Sequence, residues 1–171
     1  MSTLPPFARP RHDHDHCVAT ALSAAEQVCA TRGLKLTPLR RRVLELVWAG
    51  HGPVGAYDLL QALAEGDARA VQPPTVYRAL DFLREAGLVH RIDALNAFIG
   101  CDRPDASQGA PHGGQVLVCR SCQSVVEVDD PVMARALAER AAALGFLPDA
   151  GPLEIKGLCP ACRPQPPGPK A

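Results

Sequence analysis

The sequence predicts an α+β fold in two parts, and three observations carry that reading. Residues 17–87 hold four segments whose apolar residues recur at helical spacing, and the period then changes to that of short strands on either side of Asp93–Asn96. Two CxxC pairs, Cys119/Cys122 and Cys159/Cys162, follow the first and the last strand of a further strand, strand, helix and strand. Helices followed by a hairpin make a winged helix-turn-helix, a DNA-binding domain whose last helix enters the major groove while the hairpin forms the wing. The region after it makes a small α/β lobe.

Residues 1–16, MSTLPPFARPRHDHDH, are rich in Pro and polar side chains without apolar period and read as a flexible tail, as do residues 164–171. The winged-helix domain spans 17–102. Its first helix, VATALSAAEQVCATRG, ends at a Gly stop and places Cys29 as a small core residue. The second, TPLRRRVLELVWAG, opens on Thr37 as N-cap with Pro38 at the first helical position. Leu39, Val43, Leu46 and Val47 form its apolar stripe, with the arginines outside. GAYDLLQALAE is the third. The fourth starts at Thr75 after Pro73–Pro74, buries Val76, Ala79, Leu80 and Leu83, and stops at Gly87. Its outer face carries Tyr77, Arg78, Asp81 and Arg84. LVHRI and AFIGC are the wing strands, with a turn centred between Leu95 and Asn96.

Residues 103–114 form a hinge loop, and 115–163 form the second lobe: strands at Gln115–Cys119 and Val125–Val128, a helix at Pro131–Leu144 capped by Asp129 or Asp130 and stopped by Gly145, and a strand at Leu153–Lys156.

Composition excludes several classes of function. In 171 residues no apolar run approaches the roughly 20 needed to span a bilayer, so no membrane partner is expected. The N-terminus lacks the pattern of an export signal. Seven cysteines then belong to a reducing cytoplasm, as metal ligands or redox thiols rather than disulfides. Charge is balanced, with 18 basic and 18 acidic residues. Between Glu26 and Glu45, however, Arg32, Lys35, Arg40, Arg41 and Arg42 occur with no acidic residue among them, either a phosphate-contacting face or merely an exposed basic helix. With Thr75, Tyr77 and Arg78 at the start of the fourth helix, Lys35 completes the candidate DNA contacts. No nucleophile, base and orienting group occur together, so neither catalysis nor a small-molecule substrate is expected.

The cysteine pairs carry the chemistry. Cys119, Cys122, Cys159 and Cys162 supply the four thiolates of a tetrahedral structural zinc. Two independent redox dithiols, or a metal chaperone, are the alternatives from another class. With the turn centred at Leu95–Asn96, Cys101 lies directly opposite His90, close enough for both to bind one ion. His112 in the hinge and Glu127 could complete a second, mixed set, whose metal the residues alone leave open.

LKLTPLRRRVLELV, AYDLLQAL, PPTVYRALDFLREAGLVHRID and GLCPAC resemble the ferric uptake regulator superfamily over roughly residues 20–163. PPTVYRALDFL followed by LVHRIDALNAFIGC is most similar to its zinc uptake regulator branch. The resemblance implies a homodimeric repressor that binds double-stranded operator DNA of zinc-import genes when zinc is plentiful. It also implies two zinc ions per chain, with His90, Cys101, His112 and Glu127 as regulatory ligands and the other four cysteines as structural ones. Iron-sensing members usually carry a His-rich run before the first CxxC, whereas GAPHGGQVLVC has one histidine. A sensor of Fe²⁺, Mn²⁺ or peroxide is the alternative within the superfamily, and would want harder ligands than Cys101.

Overall fold

A computed structural model of the chain describes residues 14–50, 52–66, 71–102, 104, 114–149 and 151–164. The N-terminal half is built from α1 (His14–Thr31), α2 (Pro38–Trp48), β1 (Val54–Gly55), α3 (Ala56–Gly66), α4 (Pro73–Glu85), β2 (Val89–Ile92) and β3 (Ala97–Gly100). Helix α1 starts at His14, three residues inside the stretch read as a tail. No Pro or Gly lies between Pro10 and Gly33 to stop it, so polar residues supply its first turn.

Helix α2 begins as the sequence predicts, with the Thr37 hydroxyl accepting the Arg40 N–H at 3.4 Å and Pro38 just inside. Its buried residues are Val43, Leu44 and Val47, while Leu39 and Leu46 are half-buried. The expected stripe was too narrow because α2 packs against α1, α3, α4 and β3 at once. Helix α4 starts two residues earlier than expected, with Pro73 and Pro74 in its first turn, where a missing N–H leaves no bond unmade. It buries Val76, Ala79, Leu80 and Leu83 and gives way to Gly87 at φ +74°.

The wing has three strands in the order β1-β3-β2. The two-residue β1 escapes any reading of periodicity. The hairpin register also differs from expectation. A 3-10 turn at Asp93–Leu95, closed by Asn96 at φ +48°, pairs Ile92 with Ala97 and His90 with Ile99. Cys101 therefore lies opposite Leu88, whose carbonyl accepts its N–H at 3.0 Å, and is the diagonal neighbour of His90 on the same face.

The C-terminal half comprises β4 (Gln115–Cys119), β5 (Val125–Val128), α5 (Pro131–Ala143) and β6 (Leu153–Gly157). Strand β4 is central, antiparallel to β5 and parallel to β6. The Asp130 carboxylate caps α5 by accepting the N–H groups of Val132 and Met133. On α5 only Ala141 is buried. The two halves meet at an apolar seam in which Ile92, Val116 and Val118 are buried beneath Ala94, Leu95, Ile99 and Val125.

Candidate metal centres and nucleic-acid face

Each cysteine pair is held by a turn that follows a strand. β4 ends at Cys119, and the chain reverses through Gln123 at φ +59°, with the Cys119 N–H bonded to the Ser124 carbonyl at 2.9 Å. β6 leads into a turn in which the Cys162 and Arg163 N–H groups both bond the Cys159 carbonyl, at 3.0 and 2.9 Å. A bond from the Arg120 N–H to the Gly157 carbonyl, 3.0 Å, ties the two turns together. The four sulfurs all lie within 4.8 Å of one another, and Cys122 Sγ is 3.7 Å from Cys159 Sγ. Zinc–sulfur bonds of about 2.3 Å in a tetrahedron put the sulfurs about 3.8 Å apart, so the cluster fits zinc as it stands.

Electrostatics agree with that fit. The backbone N–H groups of Cys122 and Cys159 pull the Cys119 thiol down to about 6, and the Ser124 hydroxyl lowers Cys122. At Cys162 the Ser121 hydroxyl also lowers the thiol, but the thiols of Cys159 and Cys122 outweigh it and push the group up to about 11. Four thiols this close cannot all ionise without a cation among them.

The second cluster is His90 from β2, Cys101 just after β3 and Glu127 from β5, their ligand atoms within 4.8 Å of one another. His112 lies outside the described residues. His90 and Cys101 are buried, and His90 Nε2 is 2.9 Å from Glu127 Oε1. Burial pushes His90 down, but hydrogen bonds to Cys101 and Glu127 prevail and raise it to about 10. The pocket thus favours positive charge where His90, a thiol and a carboxylate converge. One nitrogen, one sulfur and one oxygen donor suit a four-coordinate zinc with one position left for a further ligand. Gly100 makes room for the chain here: a Cβ on it would lie 2.1 Å from Trp48 Cε2.

In the winged-helix half, Thr75, Tyr77 and Arg78 are exposed at the start of α4. Arg78 could have been a surface ion-pair residue, but Asp81 pairs with Arg84 at 3.4 Å and Asp58 accepts the Gly55 N–H at 3.2 Å. Among the described residues Arg78 has no ion-pair partner. The basic run is less free than its sequence implies, because Arg41 pairs with Glu26 and Glu45, and Arg42 with Glu45 at 3.0 Å. Arg40 stacks 3.5 Å above the Phe82 ring, fastening α2 to α4, and Arg32 donates to the Ala86 carbonyl at 3.0 Å. Lys35 stays exposed. Burial of Cys29 in the α1–α2 core agrees with the sequence reading and raises its thiol.

The sequence reading passed over Glu154, on β6, whose carboxylate accepts the N–H groups of Asp93 and Ala94 in the wing turn. The alternation of LEIKG marks it as the polar residue of a strand; its partner depends on sheet register.

Known proteins share this architecture. Residues 31–155 match the model of the Ferric uptake regulator family. The zinc uptake regulation protein of Escherichia coli K12 is 39% identical over 141 residues, which cover 82% of this chain and 80% of that protein. A zinc uptake regulator complexed with zinc and DNA superposes with a TM-score of 0.75 at 37% identity, covering 84% of this chain and 93% of its own. Holo XcZur, 45% identical over 83% of this chain and 96% of its own, gives 0.73, whereas apo XcZur, 44% identical over 85% and 97%, gives 0.50. The winged helices, the four-cysteine cluster and the sequence match agree: the chain belongs to the ferric uptake regulator family and stands with its zinc uptake regulators.

Proposed function

We propose that this protein is a zinc-responsive transcriptional repressor that binds operator DNA as a zinc-loaded dimer and silences zinc-uptake genes. The observation that carries the reading is the His90–Cys101–Glu127 cluster, because its members come from both halves of the molecule. Ligands gathered from the wing and from the C-terminal sheet make the angle between the halves depend on what they hold. Cys119, Cys122, Cys159 and Cys162 hold a structural zinc that pins the two ends of the C-terminal lobe. His90, Cys101 and Glu127, joined by His112 from the 103–114 hinge, hold a regulatory one, giving two per chain.

Each residue's task follows from its place. Glu127 accepts from the imidazole and from the Asp102 N–H at 3.5 Å, so it orients β2 and the end of β3 together. Cys101 supplies the soft donor that selects zinc over Fe²⁺ or Mn²⁺. Bound zinc supplies the charge that allows thiolate, imidazole and carboxylate to share one buried pocket. Zinc shifts the population because the DNA-competent arrangement holds it better, and a site equally good in both arrangements would switch nothing. The fold of this chain, nearer to the holo than to the apo form of XcZur, supports the reading that these contacts belong to the zinc-loaded arrangement.

The dimer follows from apolar surface. Val132, Met133 and Leu137 on α5, and Leu144, Phe146 and Leu147 after it, are exposed, with Leu147 at 91%. A second copy covering this face through the same face is the symmetric solution. Two α4 helices would then present Tyr77 and Arg78 to successive half-sites, with Thr75 and Lys35 at the phosphates. The test is operator binding and repression together. Purified protein at saturating free zinc should bind the promoter DNA of zinc-import genes as a dimer, and deleting its gene should raise those transcripts in zinc-replete cells. Zinc-independent transcripts and no zinc-dependent binding would refute the reading.

A further inference from the structure

We propose that Glu154 is a second fastener between the halves, a positioning residue for DNA binding that acts on the wing turn rather than on metal. The inference rests on the regulatory reading above. Its basis is one row of the C-terminal sheet. Val116 on the central strand pairs with Glu127 on β5 and with Glu154 on β6, so the two carboxylates flank it on one face. With paired strands about 4.8 Å apart, their backbones stand about 10 Å from each other. Val116 between them is fully buried at the seam with Ile92.

The two carboxylates reach opposite ends of the same hairpin. Glu127 takes its base, through His90 at 2.9 Å and the Asp102 N–H. Glu154 takes its tip, accepting the Ala94 N–H at 2.9 Å and the Asp93 N–H beside it. The Asp93 carboxylate, which would repel Glu154, pairs with Arg91 at 2.8 Å. Held at the base alone, the hairpin can pivot about the apolar seam; held at both ends, it cannot. β6 runs on directly into Cys159, so the four-cysteine cluster sets where Glu154 stands. Glu154 thereby links that cluster to the DNA-reading half without touching either metal set. Because the clasp and the regulatory ligands favour the same arrangement, losing the clasp weakens both DNA and zinc binding.

The test uses full-length, zinc-loaded E154Q and E154A beside the parent. At saturating zinc both variants should match the parent in zinc per chain, dimer mass and circular dichroism. Operator affinity should fall about tenfold or more in E154A and less in E154Q, which keeps an acceptor oxygen, while the free-zinc midpoint rises. Amide hydrogen exchange of the wing-turn peptide should be faster in E154A. Parental affinity, midpoint and exchange in E154A would overturn the proposal. Should the parent show no zinc-dependent operator binding, the functional reading fails and exchange alone decides the clasp: faster in E154A sustains it, unchanged refutes it.

Discussion

Replacing Gly100 with Ala adds one methyl group and should disable the regulatory site while sparing the structural one. The added Cβ would stand 2.1 Å from Trp48 Cε2, 2.3 Å from Nε1 and 2.6 Å from Cζ2. Ordinary carbon contacts begin near 3.5 Å, so strand and indole must part by about 1.5 Å. Trp48 ends α2 and packs against the main core, which resists its movement, so β3 gives way and carries Cys101 with it. Metal–ligand distances tolerate only about 0.2 Å. Gly100 is not in the left-handed region, and a strain-free Gly→Ala change there would stabilise by about 0.4–1 kcal/mol through the unfolded chain. Overpacking instead costs about 1–3 kcal/mol, and the two effects have opposite signs. The expected result is a lower Tm, a free-zinc midpoint for the regulatory site raised at least tenfold, and full retention of the tightly held zinc. Thermal melts and chelator competition on the purified dimer measure all three. A variant with the parent's Tm and midpoint would show that Trp48 yields freely and that the wing does not position Cys101.

Two further outcomes test the remaining parts. Cys159→Ser opens the four-cysteine cluster in a lobe with little buried core, so it should lose the tightly held zinc and the dimer together, as read by metal analysis and analytical ultracentrifugation; a zinc-bound dimer would contradict that role. Arg78→Ala should cost about 1–3 kcal/mol of specific operator affinity at matched salt while leaving dimer and zinc content intact, and equal binding would return Arg78 to an ordinary surface residue.

The parts of this molecule legible in its sequence are those set by local chemistry. The Thr37 cap, the buried row of α4, the strands at Gln115 and Val125 and the two CxxC turns each depend on neighbours a few residues away. The wing register was misplaced because Asp93–Asn96 folds as a 3-10 turn closed by a left-handed Asn96, which moves the pairing by two positions. A shift of two keeps every side chain on its face, so His90 and Cys101 still converge. A shift of one would have separated them. Glu154 could not be assigned a partner, since its reach to the wing turn depends on the parallel register of β6 against β4, across an intervening helix. The pairing within the basic run was likewise not legible, since Glu26 and Glu45, at its borders in sequence, pair with Arg41 and Arg42.

The central claim is that a site shared by wing and sheet converts zinc into DNA affinity, and Cys101→Ser tests it most directly. Cys101 is buried and its backbone N–H donates to the Leu88 carbonyl at 3.0 Å, a contact that serine preserves, so the fold should survive. Operator binding by the purified mutant is to be measured across buffered free zinc, with zinc per chain determined at each point. The mutant should be a folded dimer that keeps its structural zinc, carries one ion fewer per chain than the parent, and fails to bind the operator at zinc levels that saturate the parent. An unchanged zinc midpoint for DNA binding would contradict it, leaving Cys101 a buried thiol and placing the sensor elsewhere.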